Sequence, residues 1–106
     1  MTTRREKLEA MLADDPGDRF LRYALALELE KEAEHEESLR RLESLMQDDP
    51  PHVPAFFMAG QQLVRLGRIE EARAALRSGI DQARVQGDAH AAAEMSEFLT
   101  GLGSGV

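Results

Sequence analysis

The sequence contains no cysteine, no tryptophan, one tyrosine and four phenylalanines. Without cysteine, disulfide bonds and thiolate metal sites are excluded, and a reducing compartment is compatible with the chain. With so few aromatic side chains, Leu, Ala and Met must fill the core, which favours closely packed helices over a sheet rich in β-branched residues. The 106 residues therefore predict one small all-α domain.

Long apolar runs and a basic surface are also missing. No stretch approaches the roughly 20 apolar residues that a membrane-spanning helix needs, and residues 1–7 carry mixed charge, unlike a secretory signal. The 20 acidic residues outnumber the 13 basic ones, so the net charge is −7, whereas nucleic-acid-binding proteins concentrate Lys and Arg on one face. We expect a cytoplasmic protein that binds neither a membrane nor a nucleic acid.

What the sequence does contain is a repeat with a period of about 34 residues. The triplet Asp-Asp-Pro at 14–16 recurs at 48–50, and apolar residues keep the same spacing. The matching positions are Leu8, Leu42 and Leu76; Leu12, Met46 and Ile80; and Tyr23 and Phe57. A fixed period of this length is typical of repeat proteins, in which stacked units bury a continuous core.

Apolar spacing and helix-breaking residues divide the chain into six predicted helices. Their approximate bounds are 3–13, 18–32, 36–47, 54–66, 68–86 and 88–102. Prolines and Gly67 separate them, since proline lacks an amide proton and glycine closes helices in a left-handed conformation. Asp18 and Asp88 are the predicted N-caps of the second and sixth helices. The second helix has apolar residues on two sides, as expected of a helix covered by two neighbours.

Segment 53–86 resembles the tetratricopeptide repeat more closely than the rest of the chain does. The pattern of that repeat is W-x2-L-G-x2-Y on a first helix, followed by A-x3-F and a closing P on a second helix. The residues on its positions are Phe56, Ala59, Gly60, Leu63, Gly67, Ala72 and Leu76. Segment 19–50 matches through Leu25, Ala26, Leu29, Ser38, Leu42 and Pro50. There Arg22 stands in place of the aromatic residue.

This resemblance implies one domain, residues 1–106, folded as a right-handed superhelix of about six helices in antiparallel pairs, an α-solenoid. Residues 3–50 would supply half a repeat and a whole one, 53–86 the best-matching repeat, 88–102 a capping helix and 103–106 a frayed tail. In the last helix, a two-residue shift of register brings Ala91, Ala92 and Met95 onto apolar positions. Small residues such as Gly60 and Ser38 would let paired helices approach closely.

Tetratricopeptide proteins present a concave surface to another polypeptide, so the resemblance implies a scaffold or adaptor and not an enzyme. The family's inner-groove positions correspond here to Phe20, Tyr23, Leu27, Glu30, Phe57, Gln61, Val64, Arg65 and Met95, with Phe98 continuing the row. Tyr23 and Leu27 stand where the family's carboxylate clamp has Lys and Asn. We therefore expect an apolar or helical peptide as the ligand, and not a chaperone tail.

Other clusters give little indication of chemistry. The acidic turn at 32–37 lacks the spacing of a metal-binding loop, and His90 with Glu94 lacks the second histidine of a zinc helix. No serine lies in a glycine-flanked elbow, and no glycine-rich loop is placed to hold phosphate. We predict no catalytic activity, no metal and no cofactor. Three alternatives to peptide binding stay open: mutual packing of the groove residues, self-association as a homodimer, and a role as regulatory subunit of an enzyme complex.

Overall fold

The computed structural model describes residues 2–104, which contain six α-helices and no strand. The helices are α1 Arg4–Asp14, α2 Arg19–Lys31, α3 His35–Met46, α4 Val53–Arg65, α5 Ile69–Val85 and α6 Ala89–Ser104. The predicted all-α class is confirmed. Helix α6 continues two residues past its predicted end at 102, and Gly105 and Val106 of the predicted tail lie outside the described residues. Within residues 2–104, no helix combines the length and apolarity required to cross a membrane.

Three of the helices begin with a side chain that accepts a backbone hydrogen bond. At α1 the Glu6 amide donates to Thr3 Oγ1 at 3.1 Å and the Thr3 amide donates to Glu6 Oε1 at 2.9 Å, which forms a capping box. Asp18 accepts from the Leu21 amide at 2.9 Å, and Asp88 accepts from the Ala91 amide at 3.0 Å. Both predicted N-caps are therefore confirmed.

Helices α2, α4 and α5 end in the same way. Ala33, Gly67 and Gly87 have φ angles of 63°, 77° and 77°, the left-handed conformation that closes a helix. In each case the following amide donates back to a carbonyl five residues earlier, as from Glu34 to Leu29 at 2.9 Å. Ala33 lies one repeat period before Gly67, so the repeat preserves the turn although the residue type changes. An alanine in this conformation costs roughly 1 kcal/mol relative to glycine.

The described residues form two compact units, divided between His52 and Val53. In the first unit, Leu8 of α1 packs with three buried leucines of α2, namely Leu21, Leu25 and Leu29. The other side of α2 lies against α3, where the Ser38 hydroxyl donates to the Ala26 carbonyl at 2.7 Å. Both of these small residues are fully buried. Helix α2 is thus covered on two sides, as its two apolar faces predicted.

In the second unit, glycines set the spacing of α4, α5 and α6. A Cβ atom added to Gly60 of α4 would lie 2.8 Å from Leu76 Cγ on α5. A Cβ atom added to Gly79 of α5 would lie 2.5 Å from Phe56 Cβ and 2.6 Å from Met95 Sδ. Because real carbon atoms do not approach this closely, both glycines allow helix contacts that any larger residue would prevent. The predicted role of Gly60 is confirmed, and Gly79 is a second such position.

In α6 the buried residues do not follow the strict repeat spacing. Ala92 and Met95 are buried, whereas His90 and Glu94 are exposed. On the strict spacing, His90 and Glu94 would take the places of Arg22 and Ala26, which both contact α3. The N-cap Asp88 lies 70 residues after the N-cap Asp18, which is two residues more than two periods of 34. The start of α6 and the burial of Ala92 and Met95 therefore agree with the predicted two-residue shift.

Candidate protein-binding site

A pocket with a volume of about 360 Å³ opens on the surface of the first unit, between the start of α1 and the outer face of α2. Its lining residues are Arg4 from α1 and Phe20, Tyr23, Ala24, Leu27, Glu28 and Lys31 from α2. Three of the predicted groove residues, Phe20, Tyr23 and Leu27, are therefore brought together, because residues three or four apart share one face of a helix.

The aromatic content of this pocket is unusual for a solvent-exposed surface. The Phe20 side chain is 76% exposed, and Tyr23, Ala24 and Leu27 beside it in the pocket are only partly buried. An exposed aromatic ring next to further apolar side chains is typical of a surface that another molecule covers.

Charged side chains form the rim of the pocket. Arg4 Nε lies 3.3 Å from Glu28 Oε2, and Lys31 Nζ lies 3.7 Å from the same oxygen. The Glu28 side chain is 13% exposed, whereas those of Arg4 and Lys31 are 64% and 73% exposed. A cation in the first turn of a helix opposes the helix dipole, and Glu28 offsets that cost for Arg4. The Arg4 and Lys31 side chains stay mostly exposed, so each can also pair with a carboxylate of another molecule.

Tyr23 is held in place by His52. The two rings meet edge to face, with centroids 5.1 Å apart and an interplanar angle of 67°. Burial raises the pKa of the Tyr23 phenol, so its hydroxyl is neutral at physiological pH. Burial, together with the positive charge of Arg19, lowers the pKa of His52. The Tyr23 ring is therefore ordered before any ligand arrives, which reduces the entropy lost on binding.

Two arginines of α2, Arg19 and Arg22, donate hydrogen bonds to the second Asp-Asp-Pro triplet, residues 48–50. Arg22 donates to both carboxylate oxygens of Asp48, at 2.7 and 3.2 Å, and to Ser44 Oγ at 3.0 Å. Arg19 Nε donates to Asp48 at 3.1 Å, and Arg19 also donates to the Pro50 carbonyl. Arg22 occupies the position of the repeat's aromatic residue, so an ion pair with the turn replaces apolar packing there.

The hydrogen bonds from Arg22, followed by its charge and by Arg19, lower the pKa of Asp48. A carboxylate with a lowered pKa stabilises the fold above its unfolded pKa of about 4 and loses that contribution as pH falls through the folded pKa. We expect Asp48→Asn to reduce the free energy of unfolding at pH 7 by roughly 1 to 2 kcal/mol. The difference from wild type should shrink toward pH 2, as measured by urea unfolding at several pH values.

Asp49→Asn provides the matched control, because Asp49 is the exposed neighbour of Asp48. That variant should unfold within about 0.5 kcal/mol of wild type at pH 7. His52, whose pKa is also lowered, destabilises the fold below about pH 6.5; because the Asp48 charge partly offsets that lowering, Asp48→Asn makes this loss larger and Asp49→Asn leaves it unchanged. An equal effect of the two substitutions would show that the Arg22–Asp48 pair does not stabilise the fold.

The remaining predicted groove residues are placed differently. Phe57 of α4 meets Phe98 of α6 edge to face, with ring centroids 5.6 Å apart. Gln61 and Val64 are partly buried on the same helix, and Arg65 is exposed. Glu30 lies near the α2–α3 turn, where its Oε2 is 2.9 Å from Nδ1 of His35.

Met95 was wrongly predicted to face a partner. Its side chain is fully buried, and its sulfur packs into the space that the missing side chain of Gly79 leaves between α4 and α6. Flexible thioethers commonly fill such irregular gaps. Met95 therefore belongs to the core of the second unit in this structure.

The side chains of the acidic turn between α2 and α3 pair with arginines or lie exposed. Glu37 pairs with Arg41 at 3.3 Å and also with Arg40, while Glu34 and Glu36 are exposed. In the described range 2–104, no group of three or more His, Asp or Glu side chains is arranged to hold a metal ion.

No family model and no curated protein sequence matches this chain. It is similar in sequence and structure to protein BPP2914 from Bordetella parapertussis, known from its solution structure. The two sequences are 30% identical, the match covers 98% of this chain and 90% of the Bordetella protein, and the TM-score is 0.82. This chain and the Bordetella protein belong to one family. The family fold is therefore all-helical.

In this member of the family, sequence reasoning missed the charged rim of the pocket. Arg4 and Glu28 are equally distant from Pro16 along the chain, one before it and one after it. Two helices that run antiparallel from a turn at Pro16 bring such positions side by side, and Lys31 is one helical turn beyond Glu28. The contact between Arg4 and Glu28 could therefore have been predicted from the sequence, by matching residues that are equally distant from the turn.

Proposed function

We propose that this chain is a non-enzymatic, cytoplasmic protein-interaction module of the tetratricopeptide type, a right-handed superhelix of antiparallel helix pairs. It binds an apolar or helical segment of another protein through the outer face of α2. The observation that carries the proposal is the exposed ring of Phe20 beside Tyr23 and Leu27, in a pocket on that face. Apolar burial supplies most of the affinity, so binding should persist at high salt.

A binding comparison with matched variants tests this proposal. The tagged chain is used as bait in lysate of the source cell, and retained proteins are quantified by mass spectrometry. We expect Phe20→Ala with Tyr23→Ala to lose the partner, with a cost above about 2 kcal/mol for the purified pair, as for aromatic hot spots. The control is Val85→Ala with Met11→Ala, which removes exposed apolar surface elsewhere. The helical circular dichroism signal should survive in both.

Two outcomes would contradict the proposal. Equal retention by wild type, double variant and control would show that the aromatic side chains make no contact. Steep loss of binding between low and physiological salt, with the double variant unaffected, would show that the carboxylates of residues 30–37 form the contact surface. Sedimentation at several concentrations tests the homodimer alternative, because a second copy covering the pocket would make the mass depend on concentration.

A further inference from the structure

Tyr23 connects the pocket of the first unit to the turn that follows α3. Its side chain lines the pocket, and its ring meets the ring of His52 edge to face, with centroids 5.1 Å apart. Both side chains are partly buried. The His52 amide donates to the Leu45 carbonyl at 3.0 Å, which fixes the backbone of this turn to the last turn of α3. A change at His52 therefore reaches the wall of the pocket through one ring contact.

The charged groups around His52 come from α2 and from the turn that contains it. Arg19 donates to the Pro50 carbonyl and to Asp48 Oδ2, the latter at 3.1 Å. Arg22 donates to both carboxylate oxygens of Asp48. Helix α4, which follows His52 directly, has no ionisable side chain before its last residue. His52 therefore lies among two positive charges and one negative charge.

Protonation of His52 is unfavourable while its ring stays in this contact. Burial, followed by the positive charge of Arg19, lowers the pKa of His52, and the charge of Asp48 offsets part of that lowering. A His52 ring that leaves the contact for solvent regains the ordinary pKa of about 6.5. As the pH falls below that value, the arrangement with an exposed, protonated ring gains population. Asp48 keeps its charge over this range because its own pKa is lowered.

We propose that His52 is a pH-dependent switch on the pocket. The neutral ring holds Tyr23 in the pocket wall, whereas the protonated ring leaves Tyr23 and weakens the binding of an apolar ligand. The inference rests on the proposed function and adds control by acid to the same binding site. Its geometric basis is the ring contact, because Tyr23 is a lining residue of the pocket and His52 is not.

Tyrosine spectroscopy tests the ring contact in the full chain without a ligand. The sequence has one tyrosine and no tryptophan, so the near-ultraviolet circular dichroism signal of tyrosine reports on Tyr23 alone. We expect this signal to weaken as the pH is lowered from about 7.5 to about 5, with a midpoint below about 6.5. The far-ultraviolet signal of the helices should stay constant over the same range.

The three histidines of the chain provide matched variants. His52→Gln should remove the pH dependence of the tyrosine signal. His35→Gln and His90→Gln should leave it unchanged, because His35 contacts Glu30 and the His90 side chain is 86% exposed. A pH dependence that survives in His52→Gln would overturn the proposal. So would a signal that strengthens in acid, because the protonated ring would then bind Tyr23 more tightly.

Two neighbouring charges should move the titration of His52 in opposite directions. Arg19→Gln removes a positive charge and should raise the pKa of His52, whereas Asp48→Asn removes a negative charge and should lower it. NMR titration of the His52 ring measures both shifts. Shifts in the same direction, or no shift in either variant, would show that these charges do not control His52 and would overturn the switch.

Binding is measured with N-acetylphenylalanine amide, an apolar probe that is uncharged throughout this pH range. In titrations of isotope-labelled protein followed by NMR, we expect the wild-type affinity to fall by roughly threefold or more between about pH 7.5 and about pH 5. His52→Gln should bind the probe equally at both pH values. An affinity that does not fall in wild type, or no binding of the probe at either pH, would overturn the control of binding.

These outcomes are separate from those that test the proposed function. A tyrosine signal that does not change with pH would overturn the switch even if Phe20→Ala with Tyr23→Ala loses the native partner. Retention of the partner by that double variant would contradict the proposed function, while the tyrosine signal of the wild type would still respond to pH.

Discussion

Replacing Leu76 with alanine should lower the free energy of unfolding by about 2 to 5 kcal/mol, and Leu42→Ala should have an effect of similar size. Both side chains are fully buried at equivalent positions of the repeat. Each truncation removes apolar contacts and leaves a cavity that the neighbouring helices fill only in part. Domains of this size are stable by about 5 to 15 kcal/mol, so either variant would approach the limit of folding. Urea unfolding followed by circular dichroism measures the change.

Leu66→Ala is the matched control, because this leucine is exposed near the end of α4. Its effect should stay within about 0.5 kcal/mol. If Leu42→Ala or Leu76→Ala lowers the free energy of unfolding by less than about 0.5 kcal/mol, the repeat spacing does not identify the buried positions of the core. A large cost at both core positions and none at Leu66 agrees with the structure.

The second large effect is expected at Gly79. Alanine there would place Cβ at 2.5 Å from Phe56 Cβ and 2.6 Å from Met95 Sδ, so that α5 must move away from a neighbour. Overpacking of this kind costs about 1 to 3 kcal/mol or more, against a gain in helix propensity of about 1 kcal/mol. We expect a clear net loss of stability. Gly60→Leu should also destabilise, because its side chain would overlap Leu76.

Gly101→Ala is the control for this prediction. Gly101 is an exposed residue of α6, and a Cβ atom added there meets no atom within 4 Å. The better helix former should therefore stabilise the protein by roughly 0.5 to 1 kcal/mol. A rise in melting temperature for Gly79→Ala as well would contradict the close approach of α5 to α4 and α6.

Helix bounds could be predicted from the sequence because their signals are local. Asp18 caps α2, and Gly67 closes α4 with a positive φ. The burial of Leu42 and Leu76 follows from the repeat, since equivalent positions face equivalent neighbours. These features depend on residue type and spacing, both of which can be read directly from the sequence.

The features that could not be predicted depend on which neighbours a helix has. Met95 was placed in the groove because the strict repeat spacing aligns it with Leu27 and Gln61, yet it is enclosed in the core of the second unit. Gly79 was missed because the equivalent position one period earlier is the buried Leu45, so the repeat gives no sign of a small residue. Arg22 departs from the repeat pattern because Asp48 supplies a partner across the helix pair.

Three of the predicted groove residues share one face of α2. Phe20, Tyr23 and Leu27 do line one pocket, as the spacing along a helix predicts. Glu30 lies outside that pocket, where it contacts His35 near the turn. The sequence pattern identifies a helix face, whereas the lining of a pocket also depends on the adjacent helix, here through Arg4.

The most direct test of a binding surface on α2 is photo-crosslinking in the source cell. A benzophenone side chain replaces Phe20 in one variant and Val85 in another, two positions that are 76% and 79% exposed. The account predicts a crosslinked product of defined mass from position 20 and none from position 85. No product at position 20, or equal products at both positions, would contradict it.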